Sequence, residues 1–177
     1  AYAPDGRTLA TASDDTTVVV WDAITVQPLT TLGQSTRGAS SAFGVSGDRR
    51  RVVVAADRVT VHDVAQEAPE RELDVGAVAI TDLAFTATDD SLVSGDDHGA
   101  VRLWRADTGS ESRKLFDGNS AITAVTTSRD GRLVAASSAS SADVEVIDLG
   151  KDDTGWQISD IDEDVVDVAF EPDGETL

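Results

Sequence analysis

Short runs of alternating apolar and polar residues recur along the chain, and they predict β-strands. The runs TTVVVW, RVTVH, AVRLW and DVEVI are rich in β-branched residues, which favour the pleated surface of a sheet. A Pro-Asp-Gly turn follows an aromatic residue at Pro4–Gly6 and again at Pro172–Gly174. No segment shows the 3.6-residue period of an amphipathic helix. We therefore predict an all-β chain.

The strand pattern repeats at intervals of 41 to 43 residues. One series of equivalent positions comprises Trp21, His62, Trp104 and Ile147. A second series, with the same spacing, comprises Tyr2, Phe43, Phe85, Thr127 and Phe170. A period of about 40–45 residues is the length of one four-stranded blade of a β-propeller. We name the strands of a unit a to d; in the third unit they are expected near Ile80–Thr86, Ser91–Gly95, Ala100–Arg105 and Ser112–Phe116.

The repeats divide the chain into four units of one propeller segment. Their approximate bounds are 1–42, 43–84, 85–126 and 127–169, and a fifth unit starts at 170–177. Complete propellers usually have four to eight blades, and this pattern starts and stops inside a unit. We therefore interpret the chain as a segment of a longer propeller; a distorted four-unit arrangement and a ring of two copies are the alternatives. Open blade edges would favour self-association.

The charge of the chain narrows the class of partner. There are 33 acidic and 14 basic residues, a formal net charge of −19, which argues against direct binding to nucleic acid. Because the acids are spread along the whole chain, general solubility is the favoured interpretation, and a partner with a basic surface is the alternative. No apolar run is long enough to span a membrane, so we expect no membrane partner and a cytoplasmic location. The Lys-poor, Asp-rich composition favours a bacterial or archaeal source.

Asp96-Asp97-His98 is the strongest candidate for chemistry, as a metal or acid–base site. The equivalent stretch Ser13–Trp21 has the same layout without a histidine, so we interpret the group as a turn between strands b and c. The acidic run Asp160–Asp164 lacks the alternating ligands and central glycine of a calcium loop. The chain has no Cys, and it has no nucleophile-elbow or phosphate-loop motif. We predict no catalytic, metal or cofactor-binding residues, and no cofactor.

Several of these stretches resemble the WD-repeat (tryptophan–aspartate) β-propeller family. They are Trp21-Asp22, the strand ends Ala1–Gly6 and Ala169–Gly174, and the run LVSGDDHGAVRLW at Leu92–Trp104. The resemblance covers essentially the whole chain and implies about four blades of four antiparallel strands. It also implies a non-enzymatic protein–protein interaction scaffold, either a fragment or a recognition module of a larger signalling protein. The alternative is a metal-dependent propeller hydrolase or lactonase.

The resemblance further implies roles for single residues. The family joins a His, a strand-b Ser or Thr, a turn Asp and a strand-c Trp in a buried tetrad; the matching positions here are Ser13, Asp15, Trp21 and, in the third unit, Trp104. The Gly-His pair of the family is missing, so the blades are expected to depend on apolar packing. Trp21 and Trp104 should lie between blades, and Trp156 should pack inward. The loops d–a and b–c imply an interaction face made of Arg37, Asp57, Arg58, Asp97, His98, Asn119, Asp162 and Asp164.

Overall fold

The computed structural model describes most of the chain, and the described part is built from β-strands. It comprises residues 3, 7–13, 15, 17–33, 42–48, 50–56, 58–65, 69–76, 78–140, 142–150, 154–159, 161, 163–171 and 176–177. These residues form fifteen strands in four antiparallel sheets. Within the same residues, no helix is long and apolar enough to cross a membrane.

Each sheet is a run of strands that are consecutive in the sequence, and we call each sheet a blade. The first blade contains β1 (Thr8–Ala12), β2 (Thr17–Asp22) and β3 (Gln27–Gly33). The second contains β4 (Ala42–Val45), β5 (Arg51–Ala55), β6 (Val59–Asp63) and β7 (Pro69–Leu73). The third contains β8 (Ile80–Phe85), β9 (Ser91–Asp96), β10 (Ala100–Arg105) and β11 (Glu111–Asp117). The fourth contains β12 (Ile122–Thr127), β13 (Leu133–Ser138), β14 (Val144–Asp148) and β15 (Thr154–Ile158).

This architecture confirms the predicted all-β fold with about four propeller blades. Three blades have the expected four strands, and the first has three among the described residues. The third blade agrees closely with the sequence pattern, because its last strand was expected near Ser112–Phe116 and runs from Glu111 to Asp117. Meandering strands of this kind need only short turns, which the repeated Asp and Gly residues provide.

The strands in the middle of the third blade are buried on both faces. In β9 every residue after Ser91 is buried, and in β10 both Val101 and Trp104 are buried although they point to opposite sides. Both faces of a sheet are buried when another sheet packs on each side of it. The third blade therefore lies between the second and the fourth.

Apolar side chains fill the contacts between neighbouring blades. Val53, Val61, Leu73, Leu83 and Trp104 belong to the cluster between the second and third blades. Equivalent clusters join the first blade to the second and the third to the fourth. Each fully buried aliphatic or aromatic side chain contributes about 1.5–3 kcal/mol relative to an exposed one. These clusters support the expectation that apolar packing holds the blades together.

Hydrogen bonds also connect neighbouring blades. In the innermost strand of the third blade, Asp82 Oδ2 accepts a hydrogen bond of 2.7 Å from the backbone N–H of Val125. β12 is the edge strand of the fourth blade, so N–H groups on its outer side can bind a neighbouring blade. Burial is the largest influence on Asp82 and raises the pKa of its carboxyl. Asp89 caps the second blade in a similar way, since its two oxygens accept from Gly47 N and Asp48 N at 2.6 and 2.8 Å.

Trp156 is more exposed than its sequence position predicts. It was expected to pack inward, but it lies on the outermost strand of the fourth blade and half of its surface is exposed. The physical reason is its position on an edge strand, which has a neighbouring strand on one side only. Trp104, in contrast, lies on an inner strand and is 1% exposed.

Candidate interaction face

The antiparallel order of strands places two kinds of loop on each edge of the propeller. The connections between blades and the turns between strands b and c lie on one edge, and the a–b and c–d turns lie on the other. We call the first edge the upper face and the second the lower face. In the third blade the upper face is formed by the turn Asp96–Gly99 and by the adjoining connections 74–76, 78–79 and 118–121.

Backbone hydrogen bonds fasten this turn to both connections. Asp97 N donates to Ala79 O at 3.0 Å, and Ala79 N donates back to Asp97 Oδ1 at 3.1 Å. On the other side Gly118 N donates to Gly99 O at 2.8 Å. The fourth blade repeats the first of these contacts, with Ala139 N donating to Ala121 O at 2.8 Å. The upper face is therefore a set of loops that hold one another in place.

Asp96 organises the turn of the third blade from inside. Its side chain is fully buried, and Oδ1 accepts from His98 N and from Ala100 N, each at 2.9 Å. Its other oxygen forms an ion pair with Arg102. Gly99 follows with a φ of +93°, and a Cβ at that residue would lie 2.6 Å from Ser120 O. The turn therefore needs a buried acceptor at residue 96 and a glycine at residue 99.

The same three side chains could in principle hold a metal ion. Asp96, Asp97 and His98 each place one possible ligand atom within 4.8 Å of the others. The carboxylate oxygens already have partners within the fold. Asp96 accepts from two backbone N–H groups and pairs with a guanidinium, and Asp97 Oδ1 lies 2.7 Å from His98 Nδ1. The hydrogen bond with His98 is the main cause that lowers the pKa of Asp97. This geometry favours the turn over a metal site.

The other residues predicted for the face are spread over several blades. Arg58, in the b–c turn of the second blade, pairs with Glu72 through Nη1 and Oε2 at 3.1 Å. Asn119 lies in the connection that Gly99 contacts, and Asp164 is exposed after the last strand of the fourth blade. Arg37, Asp57 and Asp162 lie outside the described residues. The structure thus brings Asp97 and His98 close to the connection that carries Asn119.

The tetrad prediction is wrong at Ser13. Trp21 Nε1 donates to Thr11 Oγ1 at 2.8 Å, whereas Ser13 lies beyond the end of β1, and its Oγ accepts from Asp15 N at 3.3 Å. Asp15 closes the turn itself, because its Oδ1 accepts from Thr17 N at 3.0 Å and from the Thr17 hydroxyl at 2.7 Å. The bond from the Thr17 hydroxyl is also the main cause that lowers the pKa of Asp15.

The third blade has the same contact, and its acceptor was not predicted from the sequence. Trp104 Nε1 donates to Ser94 Oγ at 2.8 Å, and both residues are buried. Thr11 and Ser94 each precede their tryptophan by ten residues. That common spacing is the signal in the sequence that identifies the acceptor.

His62 occupies the tryptophan position of the second blade. It is 6% exposed, and its Nε2 lies 2.8 Å from Thr60 Oγ1. No partner for Nδ1 is found within the described part of the chain. Burial lowers the pKa of the imidazole, so the neutral form is favoured. His62 is therefore a packing residue of the joint with the first blade.

A cleft of about 340 Å³ opens on the upper face between the third and fourth blades. Asp117 and Asn119 line it from the third blade, and Asp143, Glu145 and Gln157 line it from the fourth. Burial is the main cause that raises the pKa of Glu145, and the nearby charge of Asp143 adds to it. We call this feature the acidic cleft.

Comparison with known families agrees with this architecture. The family model described as WD domain, G-beta repeat matches residues 1–22 and 71–105. Each match ends at or directly after a strand-c tryptophan, Trp21 or Trp104, whose indole N–H is bonded to the preceding strand. These two matches support a WD-repeat family for the chain. Such repeats generally mediate protein–protein interaction and are typically not catalytic. A search of curated proteins found no match to the chain.

Proposed function

We propose that the chain is a non-enzymatic scaffold that binds another protein through its upper face. The observation that carries the proposal is the fastening of the turn Asp96–Gly99 to the connections on both sides of it. His98 and Asp97 project from this rigid support with 70% and 42% of their side chains exposed. Recognition residues are commonly placed on loops that a rigid framework holds in position.

The lower face is the weaker candidate for binding a partner. Several of its charged groups bind within the protein: Asp89 caps the neighbouring blade, and Arg132 pairs with the buried Asp148 at 2.7 Å. These groups stabilise the propeller and are less free to bind a partner. Because the net charge is −19, the partner is expected to present a basic surface.

The buried carboxylate of Asp96 is committed to hydrogen bonds within the fold. Catalysis or metal binding through it would require breaking the bonds that it accepts from His98 N and Ala100 N. For this reason the hydrolase alternative is not part of the proposal.

Affinity capture from the native cells with three matched baits tests the proposal. The baits are the unchanged chain, an upper-face variant with His98→Ala and Asn119→Ala, and a lower-face variant with Arg50→Ala and Asp90→Ala, all at exposed or partly exposed positions. Quantitative mass spectrometry should show partners that the upper-face variant loses at least about tenfold, which corresponds to 1.4 kcal/mol, and that the lower-face variant retains. Equal retention by both variants, or loss by the lower-face variant alone, would contradict the proposal.

A further inference from the structure

A repeated contact joins the outermost strand of one blade to the lower face of the next. Arg71, on the outer strand of the second blade, donates from Nε to Asp107 O in the c–d turn of the third, at 2.8 Å. Arg113, on the outer strand of the third blade, donates from Nη2 to Leu149 O in the c–d turn of the fourth, at 3.1 Å. The c–d turn of a blade therefore rests against the outer strand of the blade before it.

Trp156 occupies the arginine position on the outer strand of the fourth blade. In the strand ladders Arg71, Arg113 and Trp156 each lie opposite the residue that precedes the strand-c tryptophan position. Trp156 is 50% exposed, and Ile158 on the same strand is 37% exposed. The strand, TGWQI, carries no charge, whereas the outer strands of the second and third blades read PEREL and ESRKLFD. Because charged residues commonly protect edge strands from association, this edge is unprotected.

The side chain of Trp156 points to the flank that faces away from the third blade. Cross-strand partners lie on the same face of a sheet, and the partner of Trp156 is Val146. Val146 belongs to a cluster that packs with Val165, Val168 and Phe170 of the segment after β15. Beside this cluster half of Trp156 stays exposed, so part of the flank is left for a further contact.

The first blade has a turn of the kind that these outer strands receive, and its side chains are apolar. In its c–d turn Val26 N donates to Asp22 O at 2.8 Å, as Gly109 N does within the third blade at 2.9 Å. Both residues have a positive φ, +57° for Val26 and +71° for Gly109, and a valine is strained there. Gly109 lets its turn approach the second blade, because a Cβ would lie 2.5 Å from Glu72 O. The turn of the first blade instead presents Ile24 and Val26, which are 62% and 71% exposed.

Both exposed surfaces differ from the joints within the chain in the same direction. At the joint of the second and third blades an arginine meets a turn that carries Asp107 and Gly109. At the two exposed surfaces the arginine is replaced by Trp156, and the turn residues are replaced by Ile24 and Val26. Apolar area removed from water is the dominant favourable term in most protein association. The turn of the first blade is therefore the cover that suits Trp156.

The first blade also has the flank that the third blade buries against its neighbour. Leu92 and Trp104 of the third blade are 0% and 1% exposed, because the second blade packs on them. Their counterparts Leu9 and Trp21 are only partly buried, and Thr11, which accepts the indole hydrogen bond of Trp21, is exposed. Since the equivalent flank of the third blade is covered by a sheet, the expected cover of this flank is another blade.

We propose that the fourth blade of one copy docks on the first blade of a second copy, with Trp156 of the one against the c–d turn 23–26 of the other. The contact is head-to-tail, since it joins different surfaces of the two copies, and two copies that both make it close a ring. The ring contains twice the four sheets of one chain, which is within the usual size of a complete propeller. This inference is independent of the upper-face proposal, because its surfaces are an outer strand, a flank and a lower-face turn.

Sedimentation equilibrium of the unchanged chain tests the association directly. The average mass should approach twice that of one chain as the concentration rises. Added salt should strengthen the association, because it screens the repulsion between two chains that each carry a net charge of −19. A chain that remains monomeric at about 1 mM in both low and high salt would overturn the inference.

Two complementary variants identify the contact. Ile24→Glu alters the turn and Trp156→Glu alters the outer strand, and each variant alone should associate at least about tenfold more weakly than the unchanged chain. Thr88→Glu adds the same charge at an exposed lower-face residue of the third blade and should leave association unchanged. Equal losses in all three variants would show that only the overall charge matters and would overturn the inference.

Mixing the two variants separates a head-to-tail contact from general adhesion of apolar surface. An Ile24→Glu chain keeps its Trp156, and a Trp156→Glu chain keeps its Ile24, so a mixed pair retains one intact contact. The equimolar mixture should therefore associate more strongly than either variant alone. Both substitutions are at exposed side chains, so the fold should be retained, and recovery in the mixture would confirm it. A mixture that associates no better than its components would contradict the head-to-tail contact.

Discussion

Replacing Asp96 by alanine should cost far more stability than its place in a surface turn would suggest. The substitution removes an acceptor from two backbone N–H groups and separates Arg102 from a fully buried partner. Removing one partner of a buried ion pair costs about 3–5 kcal/mol, and each unsatisfied buried N–H costs about 1–3 kcal/mol. Arg102 keeps a contact with Glu111 at 3.5 Å, which lessens the loss. We therefore expect the free energy of unfolding to fall by about 3–5 kcal/mol.

Urea denaturation followed by tryptophan fluorescence measures this change, and the neighbouring acid supplies a matched control. Asp97→Ala removes a carboxylate that is 42% exposed and whose Oδ1 accepts from one backbone N–H, so it should cost clearly less stability than Asp96→Ala. Equal losses for the two variants would refute the structural role of Asp96. A rise in melting temperature with added Ca²⁺, Mn²⁺ or Zn²⁺ that disappears in Asp96→Ala would show instead that the residue is a metal ligand.

Three further predictions concern the blades. Trp104→Phe and Ser94→Ala each break the same 2.8 Å bond, so each should lower the unfolding free energy, and the double variant should lose less than the sum of the two. Gly99→Ala should cost more than about 1 kcal/mol in the same urea assay, since it adds a Cβ at φ +93° that would lie 2.6 Å from Ser120 O; no measurable loss would contradict this geometry. Because burial lowers the pKa of His62 in the folded state, the unfolded chain binds a proton near pH 6.5 that the folded chain does not. Stability should therefore decline as pH falls below about 6.5, and His62→Gln should decline less between pH 7 and 5.5; parallel profiles would contradict the assignment.

The strand pattern could be predicted because its causes are local. β-branched residues alternate within each strand and Asp or Gly residues mark the turns, so the bounds of the third blade agree with the sequence to within one residue at each strand end. The resemblance to WD repeats was predictable for the same reason, as Trp21 and Trp104 recur with the turns at fixed spacing.

The acceptor of the tryptophan bond depends on strand register, which composition does not give. Leu9 is paired with Trp21, and Thr11 is two residues further along the same face, within reach of the indole. Ser13 is four residues from Leu9, a distance of about 13 Å along an extended strand. Leu92 and Ser94 repeat this relation to Trp104. Because both positions are polar, residue type alone does not distinguish Thr11 from Ser13, the serine nearest the turn.

The acidic cleft could not be predicted because it joins residues from two blades. Asp117 and Asn119 are more than twenty residues from Asp143 in the sequence, and only the packing of the fourth blade on the third brings them to one cleft. Trp156 was misplaced for a related reason. Whether a residue on an outer strand is covered depends on what packs against the sheet from outside, and the pattern within the strand does not contain that information.

Hydrogen–deuterium exchange of the chain, alone and with a captured partner, tests the central claim most directly. The claim is that a protein partner binds the upper face while the blades themselves stay unchanged. We predict slower exchange at residues 96–99 and 116–121 on binding, with no change at the lower-face residues 86–91 and 106–110. Protection confined to the lower-face segments would contradict the account.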